Sequence, residues 1–191
     1  TGEGARILAL LGLPAKGMHY SALDGVTQDF LRGEIVGLAG LRGSGRTELF
    51  RSIIGADRHD SGRMVLCGKE VSYSSPSAAA KDGVVYLTEE REAEGMVPIA
   101  SVRQNLTMSI LDKISRAGIL HSARERETAA RSIDGLEIKV ASQLQEVQQL
   151  SGGNKQKVLV GRVMEQHPRV CLLDEPTRGV DIEAKDSILH S

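Results

Sequence analysis

Two stretches of this chain carry residue types and spacings suited to holding phosphate. Gly40-Leu41-Arg42-Gly43-Ser44-Gly45-Arg46-Thr47 follows the pattern Gly-x-x-x-x-Gly-Lys-Ser/Thr, except that arginine stands at the lysine position. Glycines there let backbone amides wrap an anion, and a helix starting near Arg46 aims its positive end at the same point. Thr47 is placed to offer its hydroxyl to Mg2+. Arg46 keeps the lysine's charge but not its shape, because a guanidinium is a planar fork and an ammonium a compact point charge. One missed charge-assisted hydrogen bond costs about 1.5–3 kcal/mol, roughly 10- to 100-fold in binding. The expectation is a loop that binds nucleotide but supports a transition state poorly. On its own the match leaves a second reading open, an ordinary glycine-rich turn. The other stretch is Leu150-Ser151-Gly152-Gly153-Asn154-Lys155-Gln156. Ser151 is a good N-cap, and two glycines at a helix start expose amides to a phosphate or another backbone. Here too a plain capped helix is an open reading.

These residues need elements to position them. Glu34 to Gly40 is a nearly unbroken apolar run, expected to be a strand buried on both faces of a parallel sheet. After the loop, Leu49, Phe50, Ile53 and Ile54 share one helical face, and Gly55 supplies a stop. Gly62 to Tyr73 alternates like strands around a turn at Gly68 and Lys69, and Val84 to Leu87 reads as a short strand. Ser101 with Gln104, and Ser122 with Glu125, read as capping boxes. Glu127 and Arg131 have the spacing to pair, and Gly135 ends that helix. A helical subdomain over about 96–150 therefore interrupts an α/β core. Leu159, Val160, Val163 and Met164 mark one face of the helix after Ser151. Val170 to Leu173 is an all-apolar strand followed at once by Asp174 and Glu175.

The bulk numbers narrow the class. A length of 191 residues is one domain by the usual prior, with 40% hydrophobic and 26% charged residues. A net charge of −1 gives no reason to expect nucleic acid or an anionic membrane surface as partner. No apolar run approaches the roughly 20 residues that cross a bilayer, and Ile7 to Leu13 reads as a strand. Cys67 and Cys171 match no metal or redox spacing, and Cys171 sits in an apolar strand as a small hydrophobe, which fits a reducing cytosol.

An altered phosphate loop, a helical insertion, Leu-Ser-Gly-Gly and a strand ending in Asp174-Glu175, in that order, resemble the ABC ATPase family. The resemblance covers roughly Gly33 to Ile188. It implies an α/β fold, a P-loop NTPase core of ABC type with an antiparallel β subdomain and a helical insertion, truncated at the C-terminus. It implies ATP and Mg2+ as cofactors, bound by Gly40, Gly43, Ser44, Gly45, Arg46 and Thr47, with Thr47 and Asp174 on the metal. Glu175 matches the general base for the attacking water. Ser151, Gly152, Gly153 and Asp181 would face the nucleotide of a partner half, and Glu89 stands where the family has a glutamine that senses Mg2+ and the transport subunit.

Arg46, Glu89 and Asn154 depart from the family pattern together. With them, the phrases Gly-Leu-Ala-Gly-Leu-x-Gly-x-Gly-Arg-Thr-Glu-Leu, Leu-Ser-Gly-Gly-Asn-x-Gln-Lys-Val and Leu-Asp-Glu-Pro-Thr-Arg-Gly-Val-Asp look like the second half of ribose-, galactose- and xylose-type importers. That likeness implies a fused N-terminal partner half, membrane permease subunits, a periplasmic or extracellular sugar-binding protein acting indirectly, and a peripheral place on the cytoplasmic face of the membrane. Relatives that import autoinducer or nucleosides share much of the pattern. Other readings are an ATP-binding half without hydrolysis, and a nucleic-acid-acting member of the family, against which the charge balance speaks. Tyr20 is a candidate for stacking on adenine or for plain strand packing. The family's switch histidine is expected beyond Ser191, with His190 a decoy and His19, His59, His121 and His167 at the surface. The chain thus reads as a fragment whose uncovered sheet edge makes it prone to aggregate alone.

Overall fold

A computed structural model describes residues 6–16, 21–41, 43–58 and 61–176. The chain divides into two compact units, one of Thr1–Tyr86 with Arg169–Asp174, the other of Leu87–Pro168 with Glu175–Ser191.

In the first unit, β1 (Arg6–Lys16), β2 (Ser21–Leu31), β3 (Arg63–Leu66) and β4 (Lys69–Val71) form an antiparallel sheet in the order β2-β1-β3-β4. β3 and β4 join through Cys67-Gly68, with φ of 48° and 78°. Two left-handed residues give a two-residue turn the handedness that matches strand twist. This places the turn one residue earlier than the expected Gly68-Lys69. Alternation along the strands sends Leu8, Leu10, Met64 and Leu66 into the core. Against it packs α1 (Arg46–Ile53), which buries Leu49 and Ile53, with Ile54 just beyond. Each such aliphatic side chain contributes about 1.5–3 kcal/mol when fully buried. Gly55 follows at φ 72° and stops the helix, as expected. The short α2 (Pro76–Lys81) is capped by Ser75, whose hydroxyl accepts the Ala78 N–H, and buries Ala79. β5 (Val84–Leu87) pairs with β8 (Val170–Leu173).

A further expectation in this unit is corrected. Glu34 to Gly40 is not a strand: the segment has no regular structure, and Ile35 is 98% exposed. A strand exists only where neighbours complete its hydrogen bonds, and among the described residues none pairs with this run. β8, all-apolar in sequence, is buried on one face only. Leu172 points into the core while Cys171 and Leu173 are exposed, so the strand alternates like one with a single covered face.

The second unit is mainly helical. A π-helical turn over Arg91–Gly95 leads to α3 (Val102–Thr107), a 3-10 turn, α4 (Leu111–Ile114), and a two-residue hairpin of β6 (Ser115–Arg116) and β7 (Ile119–Leu120). Then come α5 (Ser122–Gly135), a 3-10 turn at Val147–Gln149 and α6 (Gly152–Glu165). α3 packs against α5 and α6 around Val102, Leu106, Ala129 and Val158. The Ser101–Gln104 capping box forms in both directions. Asn105, fully buried, holds the preceding loop: its amide nitrogen donates to the carbonyls of Val97, Ala100 and Ser101, and its Oδ1 accepts the Val97 N–H at 3.0 Å.

Local pairing rules fail where a buried charge competes. His121, not Ser122, caps α5, its Nδ1 accepting the Arg124 N–H at 3.4 Å. Glu125 is turned inward, 3.3 Å from Arg103 and within reach of the Thr107 hydroxyl, so it cannot close a box. Arg131 pairs with Glu165 at 2.9 Å instead of with Glu127. Glu165 is buried and also accepts the Ser132 hydroxyl at 2.6 Å; a buried carboxylate needs its donors more than an exposed one does. On α6, Leu159, Val160 and Val163 are buried as expected, but Met164 is exposed and Val158 takes the inner position.

Candidate functional site

The glycine loop meets the helix in a way that only small residues permit. Gly43 and Gly45 have φ of 80° and 89°, a left-handed region costly for other residues. A Cβ on Gly40 would strike the Ser44 side chain. The Ser44 N–H returns to the Leu41 carbonyl at 3.0 Å, and the Gly45 carbonyl accepts the Leu49 N–H at 2.9 Å. Gly45 thus caps α1 with no side-chain bond to its first amides. The Ser44 hydroxyl is buried and has no hydrogen-bond partner among the described residues. Leaving such a group unsatisfied costs about 1–3 kcal/mol. A phosphate oxygen in the loop would satisfy it, so the residues fit a phosphate. Arg46, half-buried, opens the helix.

Asp174 stands at the end of β8, 4% exposed. Thr47 Oγ1 donates to its Oδ2 at 2.6 Å, and the Tyr86 hydroxyl donates to the same oxygen at 3.1 Å. A carboxylate and a hydroxyl 127 positions apart in the chain therefore sit side by side at the foot of the loop. The pair fits Mg2+, which takes one or two protein oxygens and fills its other positions with water and phosphate. Among the described residues no group of three or more His, Cys, Asp or Glu forms an all-protein cage. No local motif singles out Tyr86. Its signal was a hydroxyl near the end of an otherwise apolar strand, where a half-buried tyrosine normally finds a partner.

The remaining candidates belong to the second unit. Glu175 follows Asp174 directly, exposed and at φ 47°, a conformation that costs a non-glycine residue about 1–3 kcal/mol. Glu89, half-buried, lies in the turn after β5. That turn is fixed by Thr88, whose hydroxyl accepts the Glu90 N–H and donates to Glu94 Oε2, each at 3.1 Å. Ser151 caps α6 as expected, with Ser151 and Gly152 exposed and Gly153 buried. Ser151 Oγ accepts both the Asn154 N–H and the Asn154 side-chain amide at 3.4 and 3.0 Å. Asn154 Oδ1 in turn accepts the Lys139 N–H at 2.8 Å, tying the helix start to the preceding loop. Tyr20, Asp181, His19, His59 and His190 lie outside the described residues, while His121 and His167 are exposed.

Comparisons with known proteins bear on the family and the fold. The family model described as ABC transporter matches residues 23–178. An arabinose import ATP-binding protein of Pectobacterium atrosepticum is 46% identical over 189 residues, 98% of this chain and 36% of that protein. A ribose import ATP-binding protein of Bacillus cereus is 39% identical over 172 residues, 90% of this chain and 35% of that protein. The chain thus spans about a third of the length of these relatives. Among solved structures, a nucleotide-free ATP-binding cassette from an ABC transporter covers 97% of this chain and is covered over 75% of its own, at 22% identity and a TM-score of 0.75. A dimeric cassette bound to ADP and Pi covers 96%, with 80% of its own chain covered, at 20% identity and a TM-score of 0.81. At these identities the structures speak for the fold.

Proposed function

The chain belongs to the ABC transporter family, and on that premise we propose that it is an ATP-binding portion of a sugar importer, coupling ATP binding and hydrolysis to carbohydrate uptake. The observation that carries the proposal is the meeting of Thr47 with Asp174 below a glycine loop whose buried Ser44 hydroxyl lacks a partner among the described residues. Sugar as the cargo rests on the relatives' names, arabinose and ribose import ATP-binding proteins.

In this reading the loop amides, Ser44 and Arg46 hold the phosphates, while Thr47 and Asp174 hold Mg2+. The ion, when bound, would neutralise charge on the phosphates. Glu175 would orient and deprotonate water. Ser151, Gly152, Gly153 and Asp181 would complete the site of a second, N-terminal half. Glu89 and the helical unit would face membrane permease subunits on the cytoplasmic side, served by a periplasmic or extracellular sugar-binding protein. Because Arg46 replaces the compact lysine charge, this chain's own site is the weaker of the two.

Gly152→Asp tests the reading in a protein containing both halves. A carboxylate there would oppose the phosphate held by the partner half, so hydrolysis should collapse while ATP binding survives. Unchanged hydrolysis would sink the shared-site mechanism. A second reading, a half that binds ATP without hydrolysing it, draws on Arg46 and Glu89. Single-turnover hydrolysis at this site separates the two, and Arg46→Lys should quicken it only under the first.

A further inference from the structure

Resting on the nucleotide-binding reading above, we infer that Tyr86 is a positioning residue for the metal side of the site: its hydroxyl holds the Asp174 carboxylate in the orientation that receives Mg2+. Two donors converge on Asp174 Oδ2, Thr47 Oγ1 at 2.6 Å and the Tyr86 hydroxyl at 3.1 Å. They differ in what a metal asks of them. The Thr47 oxygen is itself a ligand in this motif, so a cation draws on its lone pair. The Tyr86 hydroxyl has no ligand role in this motif and would remain a donor to the carboxylate with metal bound.

The terminal torsion of an aspartate is broad and weakly held by its own rotamer preferences. Two donors on one oxygen fix it, and Oδ1 is left with no hydrogen bond among the described residues. The tyrosine is oriented in turn. Its ring packs against Phe50 at a centroid distance of 6.1 Å and an angle of 56°. Phe50 stands three residues after Thr47 on α1, one helical step along the same face. The helix that opens at the phosphate loop therefore delivers both the metal-side hydroxyl and the ring that aims Tyr86. Partners of this outer kind change metal affinity by roughly 10- to 100-fold, and a neutral phenol at this distance belongs at the low end.

The experiment is a titration of mant-ADP binding, with Mg2+ and with EDTA, for the wild type, Tyr86→Phe, Asp174→Asn and the double variant. Phenylalanine keeps the ring and its contact with Phe50, so the change isolates the hydroxyl. In EDTA, Tyr86→Phe should bind mant-ADP as the wild type does. With Mg2+ it should need about tenfold more of the ion to reach half-maximal tightening. Adding Tyr86→Phe to Asp174→Asn should change nothing further. An unchanged Mg2+ requirement in Tyr86→Phe, or an equal loss in EDTA, overturns the inference and leaves the hydroxyl a packing role. Failure of the wild type to bind mant-ADP at all overturns the nucleotide reading itself, an outcome visible before any variant is compared.

Discussion

Thr47 and Asp174 lie 127 positions apart in the chain, yet the hydroxyl of one donates to the carboxylate of the other at 2.6 Å. The bond joins the first turn of α1 to the end of β8, both within the first unit. Thr47→Val keeps the side chain's shape and removes the donor. It also removes the oxygen proposed as a Mg2+ ligand, so Mg2+-dependent nucleotide affinity should fall at least as far as loss of an outer partner would take it, roughly 10- to 100-fold. Calorimetric titration with Mg2+-ADP checks this, and an unchanged affinity would remove Thr47 from the site.

Gly40→Ala tests the loop's geometry. The added methyl would run into Ser44, whereas at Gly37 it would meet nothing within 4 Å among the described residues. Gly40→Ala should weaken nucleotide binding by about tenfold or more while Gly37→Ala leaves it alone, on the cost of one misplaced charge-assisted bond. Equal behaviour of the two variants would show that the loop does not grip phosphate.

Asn105 is the polar centre of the helical unit. Besides holding residues 97–101 it accepts from Arg162, whose Nε donates to the Asn105 carbonyl at 2.8 Å and Nη2 to Oδ1 at 3.2 Å. Burial pushes the Arg162 pKa down to about 10, so the guanidinium is still charged at neutral pH and relies on those oxygens. Asn105→Ala should destabilise the protein by about 2–3 kcal/mol, because several buried donors and acceptors lose partners at once. Urea denaturation reads this as a lower midpoint.

Tyr73 predicts an alkaline limb to the stability profile. Burial, then the nearby Asp82 carboxylate and the 3.2 Å hydrogen bond to it, push its pKa from 10.0 up to about 12. A raised folded-state value means that the neutral phenol is favoured in the fold. Its contribution is complete below pH 10 and is lost as pH rises towards 12. Thermal melts across that window should fall more steeply for the wild type than for Tyr73→Phe. Parallel profiles would mean that the tyrosine titrates as it does in the unfolded chain.

The candidate site's local geometry was legible where it depends on neighbours in sequence. The glycines of 40–45, Thr47 at the helix start, Ser151 as a cap and Asp174 at a strand end each follow from a short stretch of chain, because turns, caps and apolar periods are set by neighbours in sequence. What required the tertiary structure is every choice between competing partners. Glu34 to Gly40 has the composition of a buried strand, but whether a segment pairs depends on what lies beside it. Arg131 had an eligible partner four residues away and took Glu165, because that carboxylate is buried and needs the donor. Tyr86 looked like one more apolar strand residue until the fold set its hydroxyl against Asp174, 88 positions on. Local spacing could name the groups proposed to hold phosphate and metal, while burial and long-range contact decided which neighbours hold those groups in place.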